Sequence, residues 1–157
     1  NGHPVAGLAV RPDVLAAFAG ECRYFNTFGG NPVSMAAAGA VLDVLEKESL
    51  QANAQKTGRY LRERIAALAA RHPCIGDVRG AGLFTGVELV EEWLAMRPAT
   101  ALAARLVNRL RDEEGILLSA TGPQANILKI RPPLVFAREH ADLLADGLDQ
   151  ALSSLGA

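Results

Sequence analysis

The sequence predicts an α+β fold for most of this chain, and three observations carry that prediction. From about Pro73 onward the apolar pattern reads strand, strand, helix, strand, strand, helix. The strands are short and bounded by glycine and proline turns, the pattern of an antiparallel sheet. Each helix carries a single apolar stripe, so the helices are expected on one face of that sheet. Upstream of Pro73 lie one apolar run and two longer helices. They read as an edge strand and a connecting helix belonging to a larger α/β domain.

Val5 to Val10 is the apolar run and suits a buried strand. Pro12, in a first-turn position, opens a short helix over Asp13 to Ala19. The periodicity then breaks from Gly20 through Tyr24-Phe25-Asn26-Thr27-Phe28-Gly29-Gly30. Asn31 is a good N-cap and Pro32 a good first helical residue. In the helix they open, Val33, Ala36, Ala37, Ala40, Val41, Val44 and Leu45 share one stripe. A second helix runs from Leu50 to Arg71, with Leu50, Ala54, Leu61, Ile65 and Leu68 inward. Its Arg59, Arg62, Glu63 and Arg64 are expected on a solvated surface, and His72-Pro73 stops it.

Ile75 to Val78 is a short strand entering the turn Gly80-Ala81-Gly82, and Leu83 to Val90 is the strand leaving it. A helix over Ala99 to Glu114 points Leu102, Leu106, Val107 and Leu110 inward, with Gly115 placed to end it. Ile116 to Ser119 and Ile127 to Arg131 are two further strands. Pro132-Pro133 closes the second because proline cannot donate to a ladder. The last helix is predicted over Arg138 to Leu155, burying Ala141, Leu144, Leu148, Ala151, Leu152 and Leu155. Tyr60 and Trp93 read as packing residues.

Composition narrows the function. Half of the 157 residues are hydrophobic, 21% are charged and the net charge is −1. Those values belong to a packed globular protein and provide no basic footprint for nucleic acid. No apolar run reaches bilayer length, so no membrane partner is expected. Asn1-Gly2-His3-Pro4 has neither the form of a signal peptide nor an initiating methionine, and reads as the interior of a longer chain. Cys22 and Cys74, like His3, His72 and His140, lack the spacing of a metal site or a disulfide framework. Reduced thiols in a cytoplasmic protein are the expectation.

The stretch richest in chemistry is Asn26-Thr27-Phe28-Gly29-Gly30-Asn31-Pro32. A hydroxyl, two adjacent glycines and a capped helix start are together the ingredients of an anion site. The pattern alone leaves open a tight capping loop with nothing bound. Later in the chain, alternation along Ile127–Arg131 puts Leu128 and Ile130 on the core and Lys129 and Arg131 on the other side. That side could be a substrate cleft or simply a solvent-facing edge.

Phe25 to Pro32 resembles the segment that follows the lysine region in class III aminotransferases. Gly2-His3-Pro4-Val5-Ala6-Gly7 is similar to the turn and strand directly after that family's Schiff-base lysine. Asp77 to Leu89 resembles its first small-domain strands, and Ile127 to Leu134 its substrate-facing strand. The resemblances occur in order and span nearly the whole chain. They imply residues 1–48 as the end of a pyridoxal 5′-phosphate (PLP)-binding large domain with a connecting helix. Residues 49–157 would be the C-terminal small domain of a fold-type I enzyme.

The resemblance further implies that Thr27, with its neighbour Phe28, meets the cofactor, Thr27 reaching the phosphate from the opposite subunit of a homodimer. The family's lysine, the aspartate on the cofactor ring and the stacking aromatic would lie upstream of Asn1. The chain alone would then have no catalytic residue of its own and be inactive. Many members place an arginine where Lys129 stands, to grip a substrate carboxylate. Lysine is a point charge and cannot make that bidentate fork. With Arg131-Pro132-Pro133 following, Lys129 is most similar to the alanine–glyoxylate aminotransferase 2-like and ethanolamine-phosphate phospho-lyase branch. The function implied is amino transfer between an amine or amino acid and a keto acid or aldehyde. Phosphate elimination from a phosphorylated amine is the alternative, and a non-catalytic dimerisation or scaffold module is an alternative of another class. Arg79 is expected to pair with a carboxylate or with backbone carbonyls.

Overall fold

A computed structural model describes residues 2–92 and 94–156. Asn1 and Trp93, and with Trp93 its packing role, lie outside the described residues. The chain divides into two compact units, residues 1–48 and 49–157.

In the first unit, α1 (Pro12–Glu21) and α2 (Pro32–Lys47) both begin on a proline. The Asn31 side chain caps α2 by accepting from the Ser34 amide at 2.9 Å. Val5 to Val10 does not form the expected strand. A strand exists only through a ladder, and the other described residues of this unit offer helices and a turn, not a second strand. No described residue from 2 to 48 is buried, and Leu8, Phe25, Phe28 and Val33 are largely exposed.

In the second unit Ser49, at φ 50°, precedes α3 (Leu50–Leu68). Then come β1 (Ile75–Ala81), β2 (Phe84–Glu92), β3 (Arg97–Pro98) and α4 (Thr100–Asp112). β4 (Ser119–Thr121), β5 (Ile127–Ile130) and α5 (Arg138–Leu155) complete the unit. All described pairings are antiparallel, in the order β1-β2-β5-β4, with β3 beside the end of β2. Alternate residues of the two central strands, Val87 and Leu89 with Leu128 and Ile130, are buried against α3, α4 and α5. Leu61, Ile65, Leu106, Leu110, Leu148 and Leu152 complete that core from the helices. The sheet therefore has one covered face and one open face, as the sequence pattern predicts.

β4 starts three residues later than the alternation suggests. Ser119 opposes Lys129 and Thr121 opposes Ile127. Continued backward, that register would set Ile116 opposite Pro132, whose nitrogen carries no hydrogen to donate. β3 has only two residues and leaves no periodic trace in the sequence. Its Arg97 pairs with Glu92 at 2.6 Å across the two strands.

The charged residues of α3 do more than face water. Arg62 donates to the Gly82 carbonyl at 2.7 Å, and Arg64 meets Asp146 at 2.6 Å. Tyr60 donates to Asp142, with Arg138 lying 4.1 Å over its ring. Beyond the end of α3, Arg71 and the buried His72 both reach Asp149 at 2.7 Å. Asp142, Asp146 and Asp149 fall at helical spacing, so they form one acidic seam on α5 that meets the α3 side. The solvated surface expected for Arg62 and Arg64 is corrected accordingly. Among the described residues, no helix is long and apolar enough to cross a membrane.

Candidate functional site

The loop joining α1 to α2 is ordered by two asparagines. Asn26 Oδ1 accepts from the amides of Phe28 at 3.1 Å and Gly29 at 3.0 Å, an Asx turn enclosing Thr27. Asn31 Nδ2 donates to the Phe28 carbonyl at 2.8 Å and to Ser34 Oγ at 3.0 Å. His3 Nε2 lies 2.9 Å from the same Ser34 hydroxyl. Gly30 takes φ +69°, a left-handed conformation that glycine adopts without strain. His3, Asn26, Gly30, Ser34 and Met35 border an open cavity beside this loop.

This geometry alters part of the expected anion site. The amides of Phe28, Gly29 and Ser34 are already taken by asparagine side chains, so they are not the donors that greet an anion. Thr27 is exposed, and among the described residues its hydroxyl makes no hydrogen bond. The Thr27 hydroxyl is therefore one free donor at the loop tip, and the Gly30 amide, which makes no hydrogen bond among the described residues, is another. Phe28 stands beside it at 80% exposure.

A second cluster lies on the open face of the small sheet. Lys129 is half-buried on β5, between Gly86 of β2 and Ser119 of β4. It borders a shallow cleft with Arg79, Phe84, Thr121 and Ile127. Arg79 Nη1 meets Asp77 at 2.5 Å and Glu88 at 2.7 Å. These hydrogen bonds, with Asp77 the larger influence, push the guanidinium pKa up further and commit its charge. Arg79 thus has the structural pairing role expected of it. No ion pair among the described residues engages Lys129, which makes it the uncommitted cation of this cleft.

Arg131 is exposed just past the end of β5 and borders a different, mainly apolar cavity with Ile116, Ile130, Phe136, His140 and Leu144. The two cations that alternation sets on one side thus line separate cavities. The sequence reading gives no role to Asn26, although an Asx residue three positions before a glycine is itself a turn signal. It also passes over His140, whose Nδ1 accepts from the Ala137 amide at 3.0 Å at the start of α5.

A sequence model described as "Aminotransferase class-III" matches residues 1–152. The chain belongs to this family. Among curated relatives, "Alanine--glyoxylate aminotransferase 2-like" of Drosophila melanogaster is 44% identical over 156 residues, covering 99% of this chain and 32% of the relative. "Ethanolamine-phosphate phospho-lyase homolog 1" of Caenorhabditis elegans is 43% identical over 153 residues, covering 98% of this chain and 33% of the relative. The class III chain described here thus spans about a third of the length of the curated relatives it matches.

Among solved structures, a phospholyase from Arthrobacter in complex with phosphoethanolamine superposes with a TM-score of 0.81 at 46% identity. That match covers 90% of this chain and 33% of the other. An amine transaminase from an uncultivated Pseudomonas species, in its PLP-bound form, gives a TM-score of 0.75 at 33% identity, covering 87% and 31%. The α+β small unit and its antiparallel sheet are therefore those of a fold-type I PLP enzyme. The cofactor of class III aminotransferases is PLP. The Asn26–Asn31 loop fits a role at its phosphate, because it presents an exposed hydroxyl with no competing internal partner.

Proposed function

We propose that these residues form the C-terminal part of a PLP-dependent class III enzyme acting on a small phosphorylated primary amine, from which it eliminates phosphate. Residues 1–48 would close the cofactor-binding large domain and residues 49–157 would be the small domain. Thr27 would donate its hydroxyl to the cofactor phosphate from the opposite subunit of a homodimer, with Phe28 beside it. Bound PLP supplies an electron sink for the carbon that carries the amine. The net change would be a phosphorylated amine and water giving an aldehyde, ammonia and inorganic phosphate, with Lys129 holding the phosphate that leaves.

Lys129 carries this reading. A half-buried ammonium with no carboxylate partner among the described residues, beside an arginine already neutralised by two, is a single positive point charge held ready for an anion. A phosphate accepts a point charge from any direction, whereas a carboxylate is best held by the fork of an arginine. The likeness to the Arthrobacter phospholyase points the same way. Arg131, in its separate cavity, would meet a more distant part of the substrate or of a neighbouring chain.

Amino transfer to a keto acid is the second reading. The family description and the relative named as an alanine–glyoxylate aminotransferase favour it. Whichever reaction holds, we place the protein in the cytoplasm.

Full-length enzyme incubated with ethanolamine phosphate should release inorganic phosphate. An amino acid paired with a keto acid should give little exchange. Lys129→Met should lower kcat/KM for the phosphorylated amine by about ten- to a hundred-fold, the range of one charge-assisted hydrogen bond, and Lys129→Arg should recover part of it. Rapid exchange between amino and keto acids with no phosphate released would establish the second reading instead.

A further inference from the structure

We infer that Asn26 is the positioning residue for the Thr27 hydroxyl, holding it in place before any cofactor phosphate arrives. This rests on the reading of Thr27 as the phosphate contact. Asn26 Oδ1 accepts from both Phe28 N and Gly29 N, so the hydrogen-bonded rings it closes enclose Thr27 and restrict its φ and ψ. The Gly29 amide also points at the Asn26 carbonyl at 3.3 Å, closing the turn a second time through the backbone. Asn26 Nδ2 is anchored in turn on the Tyr24 hydroxyl at 3.3 Å.

The fit of that amide is close. A Cβ on Gly29 would come within 3.1 Å of Asn26 Cγ, so a side chain at position 29 would push the Asn26 amide by a few tenths of an ångström from where it closes the turn. Burial does not order this loop, because no described residue from 2 to 48 is buried. Its shape is set by local hydrogen bonds, and those around Thr27 converge on one side chain. Asn26 also occupies the very amides that a glycine-rich loop would otherwise turn to an anion. The hydroxyl it presents is therefore the loop's side-chain donor, beside the uncommitted Gly30 amide, and placing that donor in advance lowers the ordering cost when phosphate binds.

Full-length enzyme stripped of cofactor and titrated with PLP tests this through a double-mutant cycle. Thr27→Ala should weaken PLP binding by about ten- to a hundred-fold. Asn26→Ala should weaken it by roughly three- to ten-fold, the range of neutral hydrogen bonds, and should speed hydrogen exchange at the Phe28 and Gly29 amides. Asn26→Ser, whose hydroxyl can still accept from the amide two residues on, should recover part of the affinity. In a Thr27→Ala background, Asn26→Ala should cost nothing further, because the group it positions is gone.

If Asn26→Ala binds PLP like the parent enzyme, or loses the same factor with and without the Thr27 hydroxyl, the positioning role is wrong and the Thr27 contact still stands. If Thr27→Ala leaves affinity unchanged, the phosphate contact itself is wrong and the positioning role goes with it.

Discussion

Gly58→Ala sets two effects of opposite sign against each other. Gly58 lies inside α3, where alanine is the better helix former by about 1 kcal/mol, so local propensity predicts a more stable protein. Packing predicts the reverse. A Cβ at position 58 would lie 1.7 Å from the Gly82 carbonyl oxygen and 2.4 Å from its carbon. An ordinary contact between such atoms needs about 3.5 Å, so helix and hairpin would have to separate by well over an ångström. Neither partner yields easily, since Gly82 holds a left-handed turn at φ +53° and its carbonyl accepts from Arg62 at 2.7 Å. Overpacking of this kind costs about 1–3 kcal/mol even where side chains can adjust, and here the obstacle is backbone. Packing wins, and a net loss of about 2 kcal/mol or more is expected.

Gly147→Ala in α5 is the matched control. Its added Cβ would meet Ile116 Cδ1 at 2.6 Å, the tip of a side chain that can rotate away, so its cost should be well under half as large. Hydrogen exchange at the α3 and β1–β2 amides of the full-length enzyme reads the effect locally, without requiring two-state unfolding of a large protein. If Gly58→Ala is as protected as the parent, or more so, the close approach of α3 to the hairpin is wrong.

Two further perturbations probe the same unit. Thr85 is fully buried, and its hydroxyl is without a hydrogen-bond partner among the described residues. Thr85→Val keeps the shape and removes the stranded polar atom, so it should stabilise by about 1 kcal/mol, read as a rise in the denaturant midpoint; a fall would mean that a bound water satisfies the hydroxyl. Asp149 has its pKa lowered, chiefly by the hydrogen bond from His72 and further by Arg71. A depressed carboxylate contributes stability above its unfolded pKa of about 4 and loses it as pH falls through the folded value. Asp149→Asn should therefore be less protected than the parent at pH 7, with the gap closing below about pH 4. A gap that stays constant down to the acid transition would remove the ionic contribution of Asp149.

The fold of the second unit was largely legible because its elements bury one face each. The last helix ends where the pattern ends it, at Arg138 and Leu155, and all five apolar positions expected inward on α3 are buried. Lys129 on the open sheet face follows from strict alternation with Leu128 and Ile130. Features set by pairing rather than burial were harder to read. Val5–Val10 has a strand's composition and no partner to make it one, whereas Arg97–Pro98 is a strand only because β2 runs beside it. Arg62 and Arg64 look like solvent residues until the hairpin and α5 bring Gly82 and Asp146 to them. The separation of Arg131 from Lys129 arises where the strand ends at Ile130, one residue before alternation could carry the arginine to the same side.

The two candidate clusters, one in each unit, are consequently held by different physics. Lys129 takes its position from a sheet whose other face is packed on a buried core, so its placement is as firm as that core. The Thr27 loop has no such support. Its unit buries no described residue and leaves Leu8 at 84% and Phe25 at 85% exposure, an apolar surface that water disfavours and that residues 1–48 cannot cover by themselves. What the local sequence can still fix is hydrogen bonding, and it does so at the residues flanking the hydroxyl: Asn26 closes the turn and Asn31 caps the helix that follows. A loop built this way keeps its donor aimed without help from a core, as the proposed contact with a cofactor phosphate requires.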